Sequence, residues 1–232
     1  MAITKNLHFA FNQTIPVLLG YIFLGIAFGL LLNDAGYHFL WAFLISVVVY
    51  AGSMQFIMVT LFTGGAGLLY TLVMTLFING RHIFYGLSLV ERYKNTGKSY
   101  PYLIFSLTDE TYSLLCRTKI PEILDEKKVM LYISILNHSY WIFGSVLGCL
   151  AGQLVAFNTK GIEFSMTALF TAIVVEQWRE KSNRLSIFIG AFFSLVLLLV
   201  LGPDSFIMPA LILSVGVILF SKRYRTGEVK ND

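Results

Sequence analysis

The chain has 232 residues, of which 56% are hydrophobic and only 13% are charged, and its net charge is +4. A soluble domain carries about 25% charged residues, and a soluble fold of this size could not bury so much apolar surface. Between Asn6 and Val90 only Asp34 and Arg81 are charged. The composition therefore excludes a soluble enzyme, a nucleic-acid-binding protein and a disordered chain, and it predicts an all-α polytopic membrane protein.

Apolar runs long enough to cross a membrane, about 20 residues each, recur along the whole chain. We predict about seven transmembrane helices, at residues 14–32, 40–62, 67–89, 129–157, 163–178, 184–201 and 205–221. The shorter apolar stretch 102–116 contains Asp109 and Glu110. Because a carboxylate at the centre of a span costs about 2.5–3.5 kcal/mol, we expect this stretch to form a short amphipathic or re-entrant helix. The whole chain is expected to form a single transmembrane domain.

Basic residues mark the cytoplasmic side of a membrane protein. With seven spans and a cytoplasmic C-terminus, 14 Lys and Arg residues lie inside, and only Lys5 and Lys160 lie outside. With eight spans, 12 Lys and Arg residues would lie inside and 4 outside. We therefore favour seven spans, with the basic segment 91–99 in the cytoplasm.

Two glycine pairs indicate a duplicated chain. They repeat at an interval of 123 residues, Gly25 with Gly148 and Gly29 with Gly152. The possible repeat halves, 10–90 and 129–221, would be inverted relative to each other, a common plan in secondary transporters. Glycines four residues apart also form a smooth helix stripe, which predicts a close contact between two helices.

A polar stretch interrupts the second predicted span. Gln55 lies deep in this span, and a buried amide must find partners or cost several kcal/mol in lipid. If the helix unwinds at Gly52, Ser53 and Gln55 face one cavity. The alternative is that Gln55 makes a hydrogen bond between helices.

The pair Asn79-Gly80 is a turn signal inside the third span and predicts a break there. Arg81 and His82 then lie near the membrane centre, where an ionisable residue indicates a functional site by default. Arg81 either binds a carboxylate, together with the positive end of a helix that begins near Ile83, or extends to the membrane surface.

The adjacent carboxylates Asp109 and Glu110 form the third polar site. Two acids in a low-dielectric site repel, so that one holds a proton near neutral pH, as a proton-coupled carrier requires. The alternative is a surface helix with solvated acids. The P-loop signature is incomplete around Gly97-Lys98-Ser99, because Arg92 stands where its first glycine is required. A proton gradient is therefore the expected driving force.

Three segments that carry these residues, 51–56, 79–82 and 107–111, resemble the AzlC family. The first span, with Gly25 and Gly29, also fits, whereas Gly80 departs from the Leu or Ala expected there. The resemblance implies the large subunit of an exporter of leucine, isoleucine, valine and similar amino acids such as methionine. It also implies a multi-pass protein of the bacterial plasma membrane that works with a small AzlD-like membrane subunit.

The site residues divide into two groups. We expect Ser53, Gln55, Asn79 and Arg81 to bind substrate, and His82, Asp109 and Glu110 to couple transport to protons. No enzymatic activity, cofactor, metal ion or nucleic acid is expected. The alternatives are an importer, an exporter of another small metabolite, a non-transporting subunit or sensor, or an intramembrane hydrolase that uses Ser53 with His82 or His138.

Overall fold

The computed structural model describes residues 2–154, 163–179, 181, 184–202 and 206–228, which form helices and turns without strands. The helices are α1 (Ala2–Asp34), α2 (Phe39–Val48), α3 (Gly52–Thr63), α4 (Leu68–Tyr93), α5 (Tyr100–Phe105), α6 (Asp109–Arg117), α7 (Glu126–Leu154), α8 (Glu163–Arg179), α9 (Arg184–Leu201) and α10 (Ile207–Glu228), with a 3₁₀ helix at Lys94–Ser99. Among them, α1, α7 and α9 are each long and apolar enough to cross a membrane. The all-α prediction is confirmed. Lys160 and the predicted span residues 155–157 and 205 lie outside the described ranges.

The chain divides into two compact units, residues 1–166 and 167–232. In the second unit, α9 packs against α10, and the Arg184 guanidinium lies 5.4 Å from the centre of the Trp178 ring. The candidate site residues all belong to the first unit, so the description of the site concerns this unit alone.

Helices α1 and α7 make the most extensive helix contact of the first unit and run in the same direction. Near the start of both helices, the Asp125 backbone N–H donates to Asn6 Oδ1 at 3.3 Å. Further along, the Tyr21 and Trp141 rings pack edge to face, 5.4 Å apart. Lys5 therefore lies at the end of the unit where α7 begins, whereas the prediction placed Lys5 on the opposite side of the membrane from this segment.

Glycines allow these two helices to touch through their backbones. A Cβ atom at Gly29 would lie 2.5 Å from the backbone N of Cys149 and closer still to the carbonyl O of Ser145. A Cβ atom at Gly148 would lie 2.6 Å from the Cα of Ile26. The close helix contact predicted from the glycine spacing is therefore confirmed, and it joins α1 to α7.

Helices α2 and α3 fold back on each other, whereas one continuous span was predicted for this region. Tyr37, before α2, packs its ring 5.6 Å from that of Phe62, near the end of α3. Between the helices, Tyr50 has a φ of +42°, which a bulky side chain rarely adopts. The Ser46 carbonyl near this turn lies 3.1 Å from His138 Nε2, at the middle of α7. We call α2–α3 the first hairpin and residues 49–51 its tip.

Helices α5 and α6 form the second hairpin, whose tip is residues 106–108, and it enters from the opposite end. Helix α6 runs along α4 in the same direction, since the Tyr112 ring stacks on Tyr85 at 4.5 Å and Arg92 donates to the Leu115 carbonyl at 2.7 Å. The re-entrant structure expected for 102–116 is confirmed, as two helices rather than one.

Arg92 also forms an ion pair with Glu126 at 2.6 Å, so the ends of α4 and α6 meet the start of α7. We call this end of the first unit, which holds residues 91–99 and 117–128, the basic end.

Helix α4 is continuous through residues 79–82, so the break predicted at Asn79-Gly80 is wrong, and no helix begins near Ile83. Gly costs a helix only about 1 kcal/mol relative to Ala. A break inside a membrane span would free several backbone N–H and C=O groups, at several kcal/mol each. The helix therefore persists and carries Arg81 past the tips of both hairpins.

Candidate functional site

Arg81 lies between the tips of the two hairpins. Its Nη2 donates to Ser53 Oγ, in the first turn of α3, at 2.9 Å. The same Nη2 lies 2.9 Å from Asp109 Oδ2, in the first turn of α6, and the two side chains are 29% and 30% exposed. The guanidinium is thus held at the tips of the hairpins and is not extended along the surface of α4.

Both hairpins direct a helix N-terminus at Arg81. Helix α3 begins at Gly52 and α6 begins at Asp109, so the positive ends of two helix dipoles lie beside a guanidinium. Asp109 and Glu110 occupy the first turn of α6 and compensate part of this positive potential. The arrangement favours binding of an anionic group.

Several polar atoms on the segments that carry the candidate residues are buried and have no hydrogen-bond partner within the described part of the chain. They are Tyr50 OH, Asn79 Oδ1, Arg81 Nε and Asp109 Oδ1. Each unpaired buried group costs about 1–3 kcal/mol. Because the set contains both donors and acceptors, a small zwitterionic ligand has the chemistry to pair with it.

Gln55 stabilises the tip of the first hairpin. Its side chain is fully buried, and Oε1 accepts from Trp141 Nε1 at 2.9 Å and from the Ala51 N–H at 3.2 Å. Its Nε2 donates to Ser46 Oγ at 3.3 Å. The amide therefore makes the hydrogen bonds between helices that were the alternative to a cavity-facing position.

A second polar cluster surrounds the N-terminus of α6. Thr108 caps the helix, with Oγ1 accepting from the Thr111 N–H at 3.3 Å. The Tyr21 hydroxyl lies 2.6 Å from Thr108 Oγ1 and donates to Glu110 Oε2 at 2.7 Å. Asn137 Nδ2 donates to Thr111 Oγ1 at 3.0 Å. No local pattern of the sequence links Tyr21 or Asn137 to α6.

The histidines lie apart from Ser53 in the hydrogen-bond network. His82 Nδ1 lies 3.1 Å from the Asn79 carbonyl of its own helix, and His138 Nδ1 lies 3.1 Å from the Tyr102 hydroxyl. Among the hydrogen bonds of the described residues, Ser53 Oγ is paired with Arg81 and not with a histidine. This geometry does not favour a serine hydrolase. The described residues also include no cluster of His, Cys, Asp and Glu that could hold a metal ion.

Comparison with known proteins gives the family. The model of the AzlC protein family matches residues 16–155. The branched-chain amino acid transport protein AzlC of Bacillus subtilis (strain 168) is 37% identical over 90% of this chain and 82% of its own length. The chain belongs to the AzlC family.

Other relatives cover most of the chain. An uncharacterized membrane protein of Helicobacter pylori (strain ATCC 700392 / 26695) is 41% identical over 92% of this chain and 94% of its own length. The inner membrane protein YgaZ of Escherichia coli (strain K12) is 26% identical over 74% of this chain and 73% of its own length. No solved structure matches the chain. The region matched by the AzlC family model contains both hairpins, Arg81 and both carboxylates.

Proposed function

We propose that this AzlC protein exports leucine, isoleucine, valine and similar apolar amino acids such as methionine from bacteria, driven by the proton gradient. The observation that carries the proposal is Arg81, which is held inside the first unit between two helix N-termini. The name of the Bacillus relative, a branched-chain amino acid transport protein, supports the amino acid class. The proposal places the chain in the plasma membrane with a cytoplasmic C-terminus, and it includes a small AzlD-like membrane subunit.

In the proposed site, Arg81 binds the carboxylate of the amino acid. A guanidinium can bind a carboxylate through two parallel hydrogen bonds, and Arg81 Nε has no partner within the described chain. In this structure the Nη2 atom of Arg81 pairs with Asp109. The carboxylate of the substrate therefore takes the place of Asp109 at Nη2. Ser53 then donates to the same carboxylate.

The ammonium group of the substrate needs hydrogen-bond acceptors. Asn79 Oδ1 and Asp109 Oδ1 are buried acceptors without partners in the described residues, and we assign the ammonium group to them. Gln55 contributes indirectly, since its hydrogen bonds hold the tip that carries Ser53. The coupling proton belongs to the set His82, Asp109 and Glu110.

The test is export of radiolabelled leucine from preloaded cells that carry variants of Arg81. Lys keeps the charge but lacks the planar fork of the guanidinium. Arg81→Lys should therefore insert normally and export leucine about 10–100-fold more slowly, which corresponds to the loss of one charge-assisted hydrogen bond. Arg81→Gln should export none. Arg117→Gln, which removes an exposed positive charge from the basic end, is the control and should match the wild type.

Two results would contradict the proposal. Near-wild-type export by a well-expressed Arg81→Lys variant would show that Arg81 needs only its charge. Lower leucine accumulation in cells that lack the gene, compared with cells that have it, would indicate an importer.

A further inference from the structure

Asp109 and Glu110 are adjacent in the sequence but have different partners. Asp109 Oδ2 lies 2.9 Å from a guanidinium nitrogen of Arg81. Glu110 Oε2 accepts from the neutral hydroxyl of Tyr21 at 2.7 Å, and the ion pairs of the described residues do not include Glu110. A cation therefore compensates the charge of Asp109, whereas Glu110 interacts with a neutral donor.

The groups that interact electrostatically with Glu110 come from four parts of the first unit. They are Tyr21 of α1, Tyr50 of the first tip, Arg81 and Tyr85 of α4, and Asp109 of α6. Arg81 is the cation among these groups, and its Nη2 atom is already shared by Asp109 and Ser53. Tyr21 and Tyr50 are each only 4% exposed, so water has little access to this side of the carboxylate.

A chain of hydroxyl groups begins at Glu110. The hydrogen bonds of this chain can reorient when Glu110 binds a proton. The Tyr21 hydroxyl lies between Glu110 Oε2 and Thr108 Oγ1, and Thr108 donates to Thr111 Oγ1 at 3.0 Å. When Glu110 is ionised, Tyr21 donates to it. When Glu110 carries a proton, the acid donates to the Tyr21 oxygen, Tyr21 donates to Thr108, and Thr108 donates to Thr111, because hydroxyl hydrogens rotate to suit their neighbours.

We propose that Glu110 is the group that binds the coupling proton, and that Tyr21 is its positioning residue. The proposal rests on the proposed export function. The Glu110 carboxylate takes up one proton from one side of the membrane and releases it to the other side. Asp109 pairs with Arg81 until the carboxylate of the substrate replaces it.

The test uses everted membrane vesicles from cells whose chromosomal copy of the gene carries each variant. Two activities are measured, exchange of labelled for unlabelled leucine without a gradient, and accumulation of leucine driven by a pH gradient. Glu110→Gln should keep the exchange but lose the accumulation. The ratio of leucine inside the vesicles to leucine outside should then fall to that of vesicles without a gradient. Asp109→Asn should keep a pH-dependent accumulation at reduced rate. Glu122→Gln, which removes an exposed carboxylate, should match the wild type.

Tyr21→Phe tests the positioning role. A hydrogen bond to the ionised form is stronger than one to the neutral form, so its loss favours the proton on Glu110. The pH midpoint of accumulation should therefore move upward by about one unit. A Tyr21 that only fills space would leave this midpoint unchanged.

The outcomes separate this inference from the proposed function. A wild type without leucine exchange would refute both. Gradient-driven accumulation that persists in Glu110→Gln would overturn the role of Glu110 while leaving export intact. If Glu110→Gln loses both activities, Tyr21→Phe decides, since an upward shift of the midpoint supports the proposal and an unchanged midpoint overturns it.

Discussion

Replacing one glycine in the contact between α1 and α7 should destabilise the first unit strongly. A Cβ atom at Gly29 would lie 2.5 Å from the backbone N of Cys149 and nearer to the carbonyl O of Ser145, and real Cβ atoms essentially never approach within 3.0 Å. Both obstacles are backbone atoms, which cannot rotate away. In Gly29→Ala, α1 and α7 must therefore separate locally by about 1 Å.

The energetic cost of Gly29→Ala is that of overpacking the contact between α1 and α7. Overpacking costs about 1–3 kcal/mol, and we expect the upper end, about 3 kcal/mol, because no side chain can adjust. For a chain of this size, about 1 kcal/mol shifts Tm by roughly 2–4 °C. Gly29→Ala should therefore lower the Tm by roughly 6–12 °C.

The measurement is thermal unfolding of the detergent-purified protein, followed by loss of the monodisperse peak in size-exclusion chromatography. The matched control is Gly20→Ala in the same helix, where an added Cβ atom would meet nothing within 4 Å, and its Tm should not fall. Equal Tm values for Gly29→Ala and Gly20→Ala would refute the backbone contact between α1 and α7.

Two further predictions concern topology and the first tip. In a chain without its native cysteines, Lys5→Cys and Lys98→Cys should both resist an impermeant maleimide in intact cells, whereas Gly67→Cys, at the opposite end, should react. Different labelling of the first two positions would contradict the parallel arrangement of α1 and α7. Gln55→Leu should lower the Tm because it leaves the buried indole and backbone N–H groups unpaired, at about 1–3 kcal/mol each. The volume-conserving Met58→Leu in the same helix should not lower the Tm. Equal Tm values for Gln55→Leu and Met58→Leu would contradict this role of Gln55.

The helical segments could be predicted from the sequence, but the direction of the chain within them could not. Residues 40–62 are apolar enough for one span, and hydropathy does not record whether a helix continues or turns back. Unwinding was considered at Gly52, yet the turn occurs at Tyr50, which adopts a positive φ without being glycine. Tertiary contacts such as that between Tyr37 and Phe62 determine this turn, and they join residues far apart in the sequence.

The charged residues of the candidate site were identified from their rarity in apolar segments, but their pairing was not. Arg81 and Asp109 lie on different helices, and only the second hairpin brings them within 2.9 Å. The interpretation of Asn79-Gly80 failed because a turn preference of individual residues is weak compared with the cost of unpaired backbone groups inside a membrane protein. Rules based on neighbouring residues identified the polar groups, whereas their partners depend on the fold.

The second hairpin has a mechanical consequence that follows from its dimensions. Helix α6 has nine residues and is therefore about 13 Å long, and Arg92 fixes its far end through the Leu115 carbonyl. With that end as pivot, a tilt of about 10° displaces the first turn of α6 by about 2 Å, as the length of the helix dictates. This displacement is enough to separate Asp109 from Arg81, so a small rotation of one short helix can release the guanidinium from Asp109, while its hydrogen bond to Ser53 remains and α1, α4 and α7 stay in place.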